Sequence, residues 1–183
     1  MAEDLAFAAE RSFLATELLT WLWFRCEVEG GEFDLDGGQV ALVVEDGLSL
    51  ASWDDDGPRA SLRGGTPTLR PEAANALGGG LVLRRARFVA ARGDREWHFA
   101  LDGDTLDLLG VKVPEPPEGE EDDAVDALAE KLAAGEELRG IVDALYAQFL
   151  ELRLSKDWDA IEVPRLADWV KAKLDRAWQT VGA

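Results

Sequence analysis

Cysteine and histidine are almost missing from this chain: in 183 residues there is one of each, Cys26 and His98. A single cysteine excludes an internal disulfide, and it excludes the zinc clusters that need two or more thiolates. Nucleophilic catalysis by a Cys-His or Ser-His pair needs a base within hydrogen-bond reach of the nucleophile. His98 stands in an alternating stretch that turns it away from Trp97 and Phe99, with no catalytic motif around it. Cys26 precedes Glu27 and Glu29, acids that raise a thiol pKa, so an inert and half-buried side chain is expected. Long apolar runs are lacking too, since none approaches the roughly 18 residues of a membrane span. The start, Met1-Ala2-Glu3-Asp4, carries acids where a signal peptide carries Lys or Arg. The expectation is a cytoplasmic protein without membrane contact.

Positive charge is also scarce: 19 Lys and Arg against 37 Asp and Glu give a formal net charge of −18. Such a surface repels phosphate backbones and anionic lipid unless positive charge is concentrated locally. It is concentrated. Residues 1–58 hold 14 acids and 2 bases, residues 59–112 hold 6 and 9, and residues 113–183 hold 17 and 8. The middle third is a basic island of Arg59, Arg63, Arg70, Arg84, Arg85, Arg87, Arg92, Arg95 and Lys112.

Hydrophobic residues, at 47%, suffice for a folded core. Residues 3–27 read as one helix, because Leu5, Ala8, Phe13, Leu14, Leu18, Trp21 and Leu22 recur at three- and four-residue steps. Its end, 18–24, is apolar nearly all round and must be covered on two sides or meet another chain. From 32 to 113 the period falls to two. Strands are predicted at 33–35, 40–44, 48–52, 59–62, 81–91, 96–101 and 105–113, with a short helix opened by Pro71 and ended by Gly78-Gly79-Gly80. Asp36-Gly37-Gly38, Glu45-Asp46-Gly47 and the run 54–58 supply turn chemistry. A proline-rich acidic linker at 114–123 precedes helices at 124–133, 136–154 and within 163–180. The fold expected is α+β: an antiparallel sheet meander, a long N-terminal helix packed on it, and a C-terminal helical bundle. The units are 1–113, the linker 114–123, and 124–183.

Chemistry finds little to rest on. The acidic turns lack the ligand spacing of a calcium loop, and the acids crowd into turns rather than onto rigid elements facing a pocket. A phosphate-binding glycine loop needs a strand before it and a helix after it, the reverse of the order around 78–80. No enzyme activity, metal, cofactor or small-molecule substrate is expected.

The most specific string runs from Phe13-Leu14 through Leu18-Leu19-Thr20-Trp21-Leu22-Trp23-Phe24-Arg25-Cys26-Glu27. It resembles a helix in the C-terminal half of the RdgC family of recombination-associated proteins. The order of Thr68-Leu69-Arg70-Pro71-Glu72, the strand 81–91, Arg95-Glu96-Trp97-His98-Phe99 and Asp102-Gly103-Asp104-Thr105-Leu106 is similar to that half as well. The resemblance covers about residues 10–113 and reaches the helical tail by position only. It implies a non-enzymatic, sequence-independent binder of double-stranded DNA that forms ring-like dimers and restrains a recombinase, placed on the nucleoid. It further implies a second chain supplying the family's first half, or self-association. No DNA-contact motif lies in the matched segment, so charge alone nominates Arg63, Arg84, Arg85, Arg87, Arg92 and Arg95 for the DNA backbone. Trp21, Trp23 and Phe24 are nominated for the partner interface. The alternative is an acidic protein-interaction module or DNA mimic, regulating a recombinase or a phage-defence system without touching DNA. A continuous arginine patch favours the first reading, and interspersed acids favour the second.

Overall fold

A computed structural model describes residues 2–53, 56–114 and 124–181. The chain opens with α1 (Ala2–Val28), a single helix as the periodicity predicts. Leu18, Leu19, Trp21, Leu22, Trp23 and Phe24 are all buried. A helix apolar on every side needs cover on every side: the sheet takes one flank and the C-terminal helices take the other. The Arg25 carbonyl accepts from the amides of Glu29 (3.0 Å) and Gly31 (3.1 Å), which closes the helix. Gly31, at φ 69°, then turns the chain so closely under β2 that a Cβ there would collide with the Leu42 carbonyl oxygen.

Six antiparallel strands follow: β1 (Glu32–Leu35), β2 (Gly38–Ala51), β3 (Arg59–Arg63), β4 (Val82–Arg92), β5 (Arg95–Asp102) and β6 (Leu108–Lys112). Their spatial order is β1-β2-β4-β5-β6, with β3 also paired to β2. β1 lies along residues 38–41 of β2 and β3 along residues 47–51, so both share one flank of that long strand. Between β3 and β4 the chain leaves the sheet through a short 3₁₀ turn (Pro67–Leu69) and α2 (Pro71–Gly78). The fold is the α+β class expected, with the meander interrupted once.

Glu45-Asp46-Gly47 is not the turn that its composition suggests. β2 runs straight through it with a register irregularity: Val44 stands opposite Phe88, Leu48 opposite Ala86, and the three residues between oppose Arg87 alone. The bulge keeps Val40, Leu42, Leu48 and Leu50 all on the buried face. Sequence spacing also divides the C-terminal region too finely. α3 (Ala124–Arg153) is one helix, and Gly135 does not break it. A mid-helix glycine costs only about 1 kcal/mol, and Gly135 stands at the head of a buried stripe formed by Ala134, Leu138, Ile141, Leu145 and Phe149. A π-type turn (Trp158–Glu162) leads into α4 (Val163–Val181).

The C-terminal helices form no bundle of their own. Trp97 of β5 donates its indole N–H to the Ala134 carbonyl of α3 at 2.9 Å, and Phe149 meets the Trp21 ring at 5.6 Å. α4 packs on α2 and α1. One apolar cluster joins α1, the sheet, α3, Trp158 and Trp169, so residues on either side of the linker share a core. The linker itself, beyond Pro114, lies outside the described residues.

Candidate interaction surface

All the helices lie on one side of the sheet. Among the described residues no helix covers the other face, and strand alternation assigns its occupants: Val43, Ser49, Arg85, Arg87, Val89 and His98 point away from the core residues Leu42, Leu50, Phe88 and Phe99. Val43 is 57% exposed, and Leu109 and Val111 on the edge strand β6 are 37% and 39% exposed.

The six nominated arginines are dispersed over three places. Arg84 lies at one end of β4, paired with Asp104, donating to the Ser52 carbonyl (3.1 Å) and stacked on Trp53. Arg92 and Arg95 lie at the opposite end, both held by Glu137 of α3. Arg85, Arg87 and Arg63 share the uncovered face. Arg85 grips one Asp102 oxygen with two nitrogens, at 3.1 and 2.5 Å. Arg87 sits between Glu45 (3.2 Å) and Asp46 (3.4 Å). Acids therefore intersperse the island, and among the described residues only Arg63 of the six has no carboxylate partner.

His98 completes a ladder on this face, its ring nitrogens each 2.9 Å from Glu45 and Glu96. Burial works to raise the Glu45 pKa, but the His98 hydrogen bond and then Arg87 outweigh it, so the carboxyl sits below its ordinary value. At Asp102 burial is likewise overcome, by the Arg85 hydrogen bond and the Asp104 amide. Beside the ladder, the bulge of β2 and the end of β3 enclose a concavity of about 440 Å³.

Trp21, Trp23 and Phe24 do not offer a partner surface, because the chain's own helices cover them and none is more than 1% exposed. Their string is spent on an internal clamp that sequence reading does not reveal. Glu27 accepts from the indole N–H of Trp23 (2.7 Å) and of Trp169 (2.9 Å) and from the Lys173 ammonium (2.8 Å). Lys173 also donates to the Thr68 carbonyl at 2.6 Å and lies against the faces of Trp23 and Trp169. Trp21 donates to the buried Glu162 at 3.0 Å, and Arg165 holds that carboxylate at 2.9 Å. Of these bonds, those of Trp169 and Lys173 to Glu27 tie α1 to α4, that of Trp21 to Glu162 ties α1 to the turn before α4, and that of Lys173 to Thr68 ties α4 to the turn before α2.

Cys26 has the environment expected of an inert thiol. Burial first, and Glu27 second, push its pKa up to about 12, and its Sγ faces the Leu42 carbonyl at 3.1 Å. Among the described residues, no group of three or more His, Cys, Asp or Glu is placed to hold a metal ion, and no helix is long and apolar enough to cross a membrane.

Fold and surface together define a class: an α+β domain with a one-faced antiparallel sheet whose open face is polar, ion-paired and slightly concave. No protein-family model matches the chain, and no curated protein sequence matches it.

Proposed function

We propose that this chain is a non-catalytic protein-interaction module that meets its partner through the uncovered face of its sheet and does not itself hold double-stranded DNA. The observation that carries this reading is the pairing of Arg84, Arg85, Arg87, Arg92 and Arg95 with Asp104, Asp102, Glu45, Asp46 and Glu137. Affinity for a duplex comes mainly from cations that replace condensed counterions on the phosphates. An arginine already neutralised by a carboxylate adds little net positive charge to that exchange, and here the surrounding net charge of −18 repels the duplex as well. An open sheet face carrying exposed Val43 beside a hydrogen-bonded polar ladder suits a folded protein surface better.

The RdgC-like reading, in which the chain contacts DNA together with a second chain, keeps one observation in its favour: the uncompensated guanidinium of Arg63. Fluorescence anisotropy of a labelled duplex, titrated with the purified chain at low and physiological salt, separates the two. Flat titrations are expected at both. Saturable binding that weakens steeply with salt would overturn the proposal and return the arginines to the DNA backbone.

A further inference from the structure

The concavity on the open face is built from an unusual set of groups. It is lined by Arg63 of β3, Arg85 and Arg87 of β4, the hydroxyls of Ser49 and Ser61, and one acid, Asp46. The register explains their convergence. Ser61, Ser49 and Arg85 stand in one cross-strand row, and Arg63 stands opposite Gly47 in the next. Gly47 leaves room for the Arg87 stem, whose Cδ lies 3.0 Å from where a Cβ would be. The end of β3 is fastened in place, since the Gly64 amide donates to the Asp46 carbonyl (2.8 Å) and Arg70 donates to the carbonyls of Arg63 (3.1 Å) and Gly64 (2.7 Å). The backbone carrying Arg63 is thus anchored to the bulge, while its guanidinium remains without an acid.

We infer that this concavity is an oxyanion site that takes a phosphate monoester displayed on a partner polypeptide. The inference rests on the reading that the open face meets a protein. Arg85 binds its acid through Nε and one terminal nitrogen and Arg87 binds its acids through Nε, which leaves the other terminal nitrogen of Arg85 and both of Arg87 as donors. With Arg63 and two hydroxyls, these supply more hydrogen bonds than a carboxylate accepts and suit the three oxygens and near-double charge of a phosphate monoester. The carboxylates of Asp46, Glu45 and Asp102 around the site oppose the neighbouring phosphates of an extended nucleic-acid backbone, whereas an isolated phosphate fits between them.

The test is an amide-resolved NMR titration of the full chain at low ionic strength with inorganic phosphate. Parallel arms use a glycine-rich peptide carrying one phosphoserine, the same peptide unphosphorylated, and a short DNA duplex. Phosphate is expected to shift the amides of Gly47, Ser49, Ser61 and Arg63 saturably. The phosphopeptide should reproduce those shifts, and the unphosphorylated peptide should not. Arg63→Ala, which removes an exposed side chain, should weaken binding at least tenfold, and Asp46→Asn should strengthen it. Absence of saturable shifts with phosphate, or equal binding by Arg63→Ala, overturns the site while leaving the interaction-module reading intact. Phosphate binding with the duplex, and not the phosphopeptide, reproducing the shifts overturns both.

Discussion

Removing Glu27 tests whether the aromatic string serves the fold. Glu27→Ala takes the acceptor from two indole N–H groups and the counterion from Lys173, whose side chain is 4% exposed. Stripping one member from a buried ion pair costs about 3–5 kcal/mol, because the remaining charge is stranded. Lys173→Met keeps most of the stem between Trp23 and Trp169 and loses only the ammonium, so its cost is that of hydrogen bonds to a charged group, about 1.5–3 kcal/mol. Once Glu27 is gone, Lys173→Met removes little that is favourable. The double variant should therefore cost about as much as Glu27→Ala alone, a coupling of roughly 1.5–3 kcal/mol. Urea titration followed by tryptophan fluorescence measures all three, and in a chain of this size the Glu27→Ala loss corresponds to a Tm drop of roughly 10 °C. Burial lowers the Lys173 pKa against the opposing pull of Glu27. A lysine with a depressed folded-state pKa makes stability rise with pH as the proton leaves, so the Glu27→Ala deficit should narrow in alkaline buffer. Strict additivity of the two substitutions, or a Glu27→Ala cost below about 1 kcal/mol, would refute the clamp.

Three further outcomes follow from the same geometry. Gly31→Ala should destabilise by more than about 3 kcal/mol, since it adds a clash with the Leu42 carbonyl to a left-handed conformation, while Gly30→Ala, at φ 76° with open space around it, should cost only about 1–2 kcal/mol; chemical denaturation of the two variants checks the difference. The folded-state carboxyls of Glu45 and Asp102 lie below their unfolded values near 4, so the stability they add is complete above that pH and is lost as pH falls through the folded values; urea midpoints across that range should fall in the wild type and flatten in Glu45→Gln/Asp102→Asn. With its pKa near 12, Cys26 should react with a thiol reagent at about pH 8 on the order of a thousandfold more slowly in the native protein than in denaturing urea.

The elements legible in the sequence are those whose signals are local. The three- and four-residue spacing of α1, the glycine turns around β1 and β5, and Pro71 at the head of α2 each act within a few residues. What was hidden depends on partners far along the chain. Glu45-Asp46-Gly47 has the composition of a turn, and only the pairing of Val44 with Phe88 and Leu48 with Ala86 makes it a bulge. Gly135 looks like a break until the core buries the stripe that starts beside it at Ala134 and runs through Leu138 and Ile141 to Phe149. Glu27 reads as an ordinary helix-end acid because Trp169 and Lys173 lie 142 and 146 residues downstream. The surface site suffered in the same way: charge counting located the arginines, but their acids come from the bulge, the β5 end and α3.

That origin explains why an acidic protein keeps a basic middle third. A sheet covered on one side must be polar on the other, and strands supply polar positions at every second residue. In a chain with twice as many acids as bases, filling those positions with carboxylates would set like charges side by side across strands, which is destabilising. Arg85 and Arg87, placed there, meet Asp102 from the middle third and Glu45 and Asp46 from the first. Each exposed pair is worth only about 0–1 kcal/mol, so the island relieves repulsion more than it adds stability. This explains Arg85 and Arg87, while Arg84, Arg92 and Arg95 at the strand ends answer Asp104 and Glu137. Arg63 sits on the open face beside two free hydroxyls and answers no acid, and a charge that the fold does not require is where recognition by another molecule is placed.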